Sequence, residues 1–155
     1  MTLRSALPLV LAAATACSGS GGPRAALTRF PIGIYGVKDP QSLERLKKDG
    51  FDSVQTYSRD PALLAGLAKE ARRQGMRLVI YPQPLQGGPL GVTKGWPVDA
   101  WYLQDEPDVV KTSSAALLAM SEETRAWDPG RPQTFVVGQG SSAGLYAQIG
   151  DILMM

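Results

Sequence analysis

From residue 30 onward the chain alternates short apolar runs with longer segments whose apolar residues recur at helical spacing. Residues 30–37, 51–57 and 76–81 are rich in aromatic and β-branched side chains, bounded by Gly, Pro and Asp, and read as strands. Residues 39–48 predict a helix, with Asp39 as N-cap, Pro40 at its first position and Gly50 beyond its end. Residues 61–74 predict a second, capped by Asp60 and stopped by Gly75. Its Leu64, Leu67, Ala68 and Ala71 fall at i, i+3, i+4 and i+7, one apolar face.

The rhythm breaks over residues 82–99, where Gln86-Gly87-Gly88-Pro89-Leu90-Gly91 is turn chemistry and a degenerate crossover is expected instead of a full helix. A fourth strand follows through Ala100-Trp101-Tyr102-Leu103. Residues 112–127 then predict a helix with Ala116, Met120, Glu123 and Trp127 on one face, ended by Asp128-Pro129-Gly130. Residues 133–137 read as a fifth strand, 142–148 as a short helix and 151–155 as the start of a sixth strand. Strand and helix alternating at this spacing predict right-handed βα units on a parallel sheet. The fold class is α/β.

The fourth strand ends unusually. Its aromatic run passes into Gln104-Asp105-Glu106-Pro107-Asp108, and Pro107 has no amide hydrogen for a ladder, so pairing stops beside Glu106. An acid delivered by a buried strand to its own carboxyl end is placed to reach a cleft as a general acid. The same acid could instead cap a helix or pair with a base in the loop.

Composition narrows the chemistry. The 155 residues are 44% hydrophobic and 19% charged, enough apolar content for one globular domain. A net charge of +2 with no long basic run gives no reason to expect a nucleic-acid partner. There is no histidine, which removes Ser-His-Asp and Cys-His catalysis and the usual zinc sites. The single cysteine, Cys17, allows no internal disulfide. Acid–base work falls to carboxylates, Lys or Tyr.

Residues 1–16 read as a secretory signal: Arg4 precedes an apolar run over residues 6–14 that is too short to span a bilayer. Ala14-Thr15-Ala16-Cys17-Ser18-Gly19 resembles the bacterial lipoprotein signal, although Ala14 stands where Leu is more usual. The resemblance implies that Cys17 is lipidated and anchors the chain to a membrane. It also implies that Ser18 favours the outer membrane, with residues 17–29 forming a lipidated tether. An ordinary signal peptide cut after Ala16 is the alternative.

Two parallel architectures fit the pattern. A doubly wound sheet with a nucleotide site has Gly138-Gln139-Gly140-Ser141-Ser142-Ala143 in its favour, a G-x-G-x-x-A match between a strand and a helix. That motif is short and falls at the fifth strand instead of the first. Against it stand the order of elements, Tyr102-Leu103-Gln104-Asp105-Glu106-Pro107 at the end of strand four, and Gly150-Asp151-Ile152-Leu153-Met154-Met155 opening strand six. These residues resemble the (β/α)8 TIM-barrel glycoside hydrolases over residues 30–155. In the large retaining clan of that fold the acid/base glutamate ends strand four in an Asn-Glu-Pro setting, and Glu106 is the matching position. Asp105 replaces the Asn that contacts the sugar's 2-hydroxyl.

The resemblance implies a site at the carboxyl ends of the strands, where Tyr35, Tyr57, Tyr81, Gln83, Asp105 and Gln139 would bind a carbohydrate beside catalytic Glu106. Each tyrosine could equally be a strand-former closing the top of the sheet. No metal and no organic cofactor are called for. The clan's nucleophile comes from strand seven, and such barrels run to about 250 residues. The expectation is therefore an incomplete barrel of strands one to six, a sequence truncated at its C-terminal end, with the nucleophile outside it and no turnover by these residues alone. The rival functions are a non-catalytic glycan-binding surface lipoprotein and, more distantly, the nucleotide-binding protein.

Overall fold

The computed structural model describes residues 32–155; the signal segment, Cys17, the tether and the first two residues of the expected first strand lie outside the described residues. Among these residues six strands form one sheet: β1 (Gly33–Ile34), β2 (Ser53–Gln55), β3 (Arg77–Ile80), β4 (Val98–Tyr102), β5 (Gln133–Val136) and β6 (Ile152–Met154). Every neighbouring pair is parallel, and the order across the sheet is the order along the chain. The sheet curls into a half-barrel. Such an order has no reversal, so the switch point at which a doubly wound sheet binds its nucleotide does not arise.

Among the described residues five helices connect the strands: α1 (Leu43–Lys48), α2 (Pro61–Gln74), α3 (Gln83–Gln86), α4 (Ser114–Trp127) and α5 (Ala143–Tyr146). Helix α2 has the bounds its sequence predicts, because both ends are specified chemically. The Asp60 carboxylate accepts from the Ala62 amide, Pro61 fills a position needing no donor, and Gly75 takes the left-handed conformation at φ 63°. Leu64, Leu67, Ala68 and Ala71 are buried beneath it. The first predicted helix splits into a 3-10 turn, Pro40–Ser42, and α1. The β3–β4 crossover is as degenerate as expected: the one-turn α3 and a 3-10 turn at Leu90–Thr93.

Helix α4 corrects the predicted pattern at two points. It begins at Ser114 with Ser113 as N-cap, because Thr112 is held in the preceding loop. The Thr112 amide donates to Pro107 O, its hydroxyl accepts from Gln104 Nε2, and its carbonyl accepts from the Tyr146 hydroxyl. The buried face is Leu117, Ser121 and Thr124, with Met120 and Trp127 half-buried, whereas Ala116 and Glu123 are exposed. Two polar side chains occupy the inner face because each finds a partner. Ser121 Oγ lies 2.6 Å from Gln133 Oε1 and 3.0 Å from Ile149 O, and Thr124 Oγ1 donates to Met120 O and accepts from Gln86 Nε2.

Alternation along the strands sends side chains to two different places. On β4, Trp101 faces the helices, where it packs against Trp127 at 5.2 Å and donates to Asp128 Oδ2 at 3.0 Å. Leu103, two residues on, packs with Leu117 and Phe135 in the second apolar cluster. Ala100 and Tyr102 therefore face the concave side of the sheet. Leu78 and Ile80 on β3 join Trp101 in the main core, which leaves Val79 and Tyr81 on the concave side as well.

Candidate functional site

The carboxyl ends of β1 to β4 bring their tyrosines together. The Tyr81 and Tyr102 rings lie 5.3 Å apart, and the Tyr102 hydroxyl donates to Asp105 Oδ1 at 2.5 Å. Tyr57, at the end of β2, feels the charges of both Asp105 and Glu106 and the phenol of Tyr35. Tyr35 and Tyr57 are 50% and 42% exposed, so this end of the sheet opens to solvent. The Tyr35 hydroxyl donates to Met154 Sδ at 3.3 Å, drawing the first strand toward the sixth.

Burial and negative charge act together on these phenols. Burial pushes Tyr102 far above its ordinary value, and its hydrogen bond to Asp105 and the Asp105 charge push the same way. Burial raises Tyr81 too, followed by the Asp105 charge, with Arg59 opposing. Burial raises Tyr57 as well, followed by Asp105, Tyr35 and Glu106. All three remain protonated at neutral pH and act as donors. The Arg59 guanidinium lies 4.3 Å from the Tyr81 ring centroid and brings a positive charge to the cluster.

Glu106 follows β4 and is exposed, and its backbone is left-handed at φ 39°. A non-glycine residue rarely adopts that conformation, and the cost is of the order of 1–3 kcal/mol. The surrounding loop over-determines it. The Glu106 carbonyl accepts from the amides of Val109 and Val110, and Pro107 O accepts from Thr112 N. Asp108 reaches across to the next strand's end, accepting from Gly138 N at 3.0 Å and Gln139 N at 2.8 Å. Its partial burial works against the charged form, but those two amides hold the carboxyl below its ordinary value.

Of the residues singled out by sequence, Tyr35, Tyr57, Tyr81, Asp105 and Glu106 therefore converge on one mouth. Gln83 sits elsewhere. It opens α3, and its amide nitrogen donates to Leu103 O at 3.0 Å and reaches Met120 Sδ at 4.0 Å, so it ties β4 to α4. Gln139 is exposed, and its backbone amide is engaged by Asp108. That engagement also answers the glycine motif. The amides that would cradle a phosphate at Gly138-Gln139-Gly140 already hold the chain's own carboxylate, and the following helix, Ala143–Tyr146, is four residues long. Among the described residues no cluster of His, Cys, Asp and Glu could hold a metal.

Sequence reasoning missed Tyr102, Arg59 and Asp108. Tyr102 reads as one more aromatic strand-former, although its place on the face opposite Trp101 carries the signal. Arg59 and Asp108 are loop residues without periodicity, legible only through their neighbours Tyr57 and Glu106. Among the described residues, clefts also lie away from the mouth. One of about 340 Å³ lies beside Glu44, Gly66 and Arg73 on the helical side. Another, about 450 Å³, lies by Lys94, Gly95 and Arg131, at the amino ends of β4 and β5.

No protein-family model matches the sequence, and no curated protein matches it either. Solved structures do. A glycosyl hydrolase family 2 member from Bacteroides cellulosilyticus superimposes with a TM-score of 0.59 at 14% identity, over 79% of this chain and 20% of that one. A β-galacturonidase of the same family from Eisenbergiella tayi, bound to galacturonate, gives 0.60 at 13% identity, over 81% and 28%. A β-D-glucuronidase from Dictyoglomus thermophilum gives 0.52 at 16% identity, over 80% and 28%. The chain thus spans between a fifth and under a third of these structures, and at such identities the likeness is one of fold: residues 32–155 share the α/β half-barrel architecture found within glycoside hydrolases.

Proposed function

We propose that residues 30–155 belong to a (β/α)8 TIM-barrel domain of glycoside-hydrolase type, acting on a carbohydrate with Glu106 as general acid/base. The observation that carries this reading is the placement of Glu106. It ends β4 of a parallel sheet whose strands follow one another without reversal, in a strained left-handed conformation, beside protonated tyrosines. Consecutive order is what closure into a barrel requires, and catalytic groups of barrels sit at the carboxyl ends of strands. The structural neighbours, a glucuronidase and a galacturonidase among them, point the same way.

The chemistry follows from the residues. Phenol hydroxyls donate to sugar oxygens, exposed Tyr35 and Tyr57 rings offer faces for the apolar side of a pyranose, and Asp105 accepts from a hydroxyl. Glu106 in its acid form protonates the departing glycosidic oxygen. In a retaining reaction a second carboxylate bonds to the anomeric carbon, and the Glu106 carboxylate then takes a proton from the water that displaces it. In an inverting one the second carboxylate itself deprotonates the attacking water. A second carboxylate is needed, about 5–5.5 Å away for retention or about 6.5–9.5 Å for inversion. The same reading includes export and a lipid anchor on Cys17 in the cell envelope. Fatty-acid labelling that survives Cys17→Ser would remove the anchor from it.

The test uses the full-length protein and pairs of glycosides differing only in leaving group. With Glu106→Gln, kcat/KM on a poor leaving group should fall by about 10²–10⁴, the usual worth of proton transfer in the transition state. A dinitrophenyl glycoside, whose leaving group needs no proton, should keep its kcat/KM. Equal losses on both substrates, or none, would take Glu106 out of the reaction. Saturable sugar binding with no turnover of either would make the mouth a glycan-binding site.

A further inference from the structure

The Glu106 carboxyl does not hang free in the mouth. A methyl group built on Gly138 would lie 3.2 Å from both Glu106 Cδ and Oε1, and 2.7 Å from Val109 Cγ2. Gly138 has an ordinary backbone conformation, so its missing side chain serves space and not torsion: the strand end beside β4 is hollowed where Glu106 rests. Asp108, two residues after Glu106, then grips that hollowed end through two amides, Gly138 N and Gln139 N. The loop carrying the acid and the wall it leans on are thereby one unit. A charged carboxylate accepting two backbone donors is among the stronger contacts a loop can make, and it spans 30 positions of sequence.

We propose that Asp108 and Gly138 form the seat that positions Glu106: Asp108 clasps the β4 loop to the end of β5, and Gly138 leaves the space in which the carboxyl lies. The proposal rests on the reading of Glu106 as general acid/base and adds to it a pair of positioning residues. Without the clasp, the left-handed turn at Glu106 loses its external support, and the strain stored there relaxes by moving the carboxyl away from the mouth. Displacement of a reacting group by about 1 Å can cost about 10²-fold.

Asp108→Asn keeps the shape of the side chain but turns one acceptor into an amide donor facing a backbone N–H. In the full-length protein it should lower kcat/KM about 10- to 100-fold on a glycoside with a poor leaving group. On the matching dinitrophenyl glycoside kcat/KM should change less than about twofold, because that substrate needs no proton from Glu106. A general structural defect would lower both. Amide exchange at residues 138 and 139 should rise in the same variant while global unfolding is unchanged.

A second variant guards against misfolding. Gly138→Ala combined with Val109→Ala removes the 2.7 Å clash with an exposed side chain and leaves only the 3.2 Å pressure on Glu106. It should reproduce the leaving-group signature with the Asp108 clasp intact. If Glu106→Gln shows the signature and neither of these variants does, the seat is wrong and the role of Glu106 stands. If Glu106→Gln itself lacks the signature, the functional reading falls, and the seat falls with it.

Discussion

Replacing Ser121 by Ala deletes one hydroxyl, yet it should destabilise the protein out of proportion to that size. Gln133 is wholly buried at 0% exposure, and Ser121 is 3% exposed. Ser121 Oγ lies 2.6 Å from Gln133 Oε1, and Gln133 Nε2 donates back to Ser121 O at 3.0 Å, so α4 and β5 are joined through a dry contact. In Ser121→Ala the Gln133 carbonyl oxygen loses its donor and has no water to replace it. The penalty for an orphaned buried acceptor is about 1–3 kcal/mol, a sizeable share of the roughly 5–15 kcal/mol that a domain has. Gln133→Leu removes the acceptor itself, while the Ser121 hydroxyl still reaches Ile149 O at 3.0 Å. That variant should cost about 1 kcal/mol or less, since no buried group is stranded. The double variant should then cost less than the sum of the two, because it strands Ile149 O but no Gln133 oxygen, giving a coupling energy of about 1 kcal/mol. Urea unfolding followed by circular dichroism measures all four forms, with unchanged m-values as the condition for comparing them. Strictly additive costs, or a Ser121→Ala variant within about 0.5 kcal/mol of the parent, would refute the claim that the pair is dry and mutually satisfied.

Two titrations test the electrostatics. Burial, and then Asp105, raise Tyr102 above its ordinary 10.0, so this phenol favours folding fully below about pH 10 and loses its contribution as the pH climbs toward the raised value. Alkaline unfolding should therefore begin near pH 10 with a jump in tyrosinate absorbance, and Tyr102→Phe should make stability less steep in that range; an unchanged slope would assign the effect elsewhere. On the helical side, hydrogen bonds from Arg73 and then Gln74 hold Glu70 at about 2. Its contribution is present above the ordinary 4.5 and lost as pH falls through about 2, and carboxyl NMR should show the midpoint returning toward 4.5 in Arg73→Ala.

What could be read from sequence divides along a physical line. Helix α2 was legible to the residue because Asp60, Pro61 and Gly75 each act locally, on backbone groups next to them. The α/β rhythm was legible for the same reason. The inner face of α4 was not, because Ser121 and Thr124 are polar and acceptable inside only through Gln133, Ile149 and Gln86, partners that sequence does not place. The site shows the same division. Glu106 stood out as an acid behind an aromatic strand, and Tyr35, Tyr57 and Tyr81 as residues at strand ends. Asp108, which joins Glu106 to its neighbouring strand, is one more loop acid until β5 is set beside β4. Gln83 looked like a mouth residue because it follows a strand, but one turn of helix swings its amide onto Leu103 O.

The Asp at position 105 acquires a local reason from its neighbour on the strand. Burial keeps Tyr102 protonated, so its hydroxyl is a donor, and Asp105 Oδ1 receives it at 2.5 Å. An Asn there would satisfy the same phenol through its carbonyl oxygen and would turn an amide donor toward whatever lies beyond. An ionised Asp offers a second acceptor instead. Under the proposed reading the two side chains occupy one position and differ in what they ask of a sugar: an amide can donate to a ring substituent, whereas Asp105 requires a hydroxyl that donates to it. The departure from Asn-Glu-Pro thus bears on which substituent is recognised beside the reacting centre. Asp105 reaches that position through Tyr102, independently of the Asp108–Gly138 contact behind Glu106. On that reading, recognition of the substituent and aim of the acid are separable, and variants at Tyr102 and Asp108 should affect them independently.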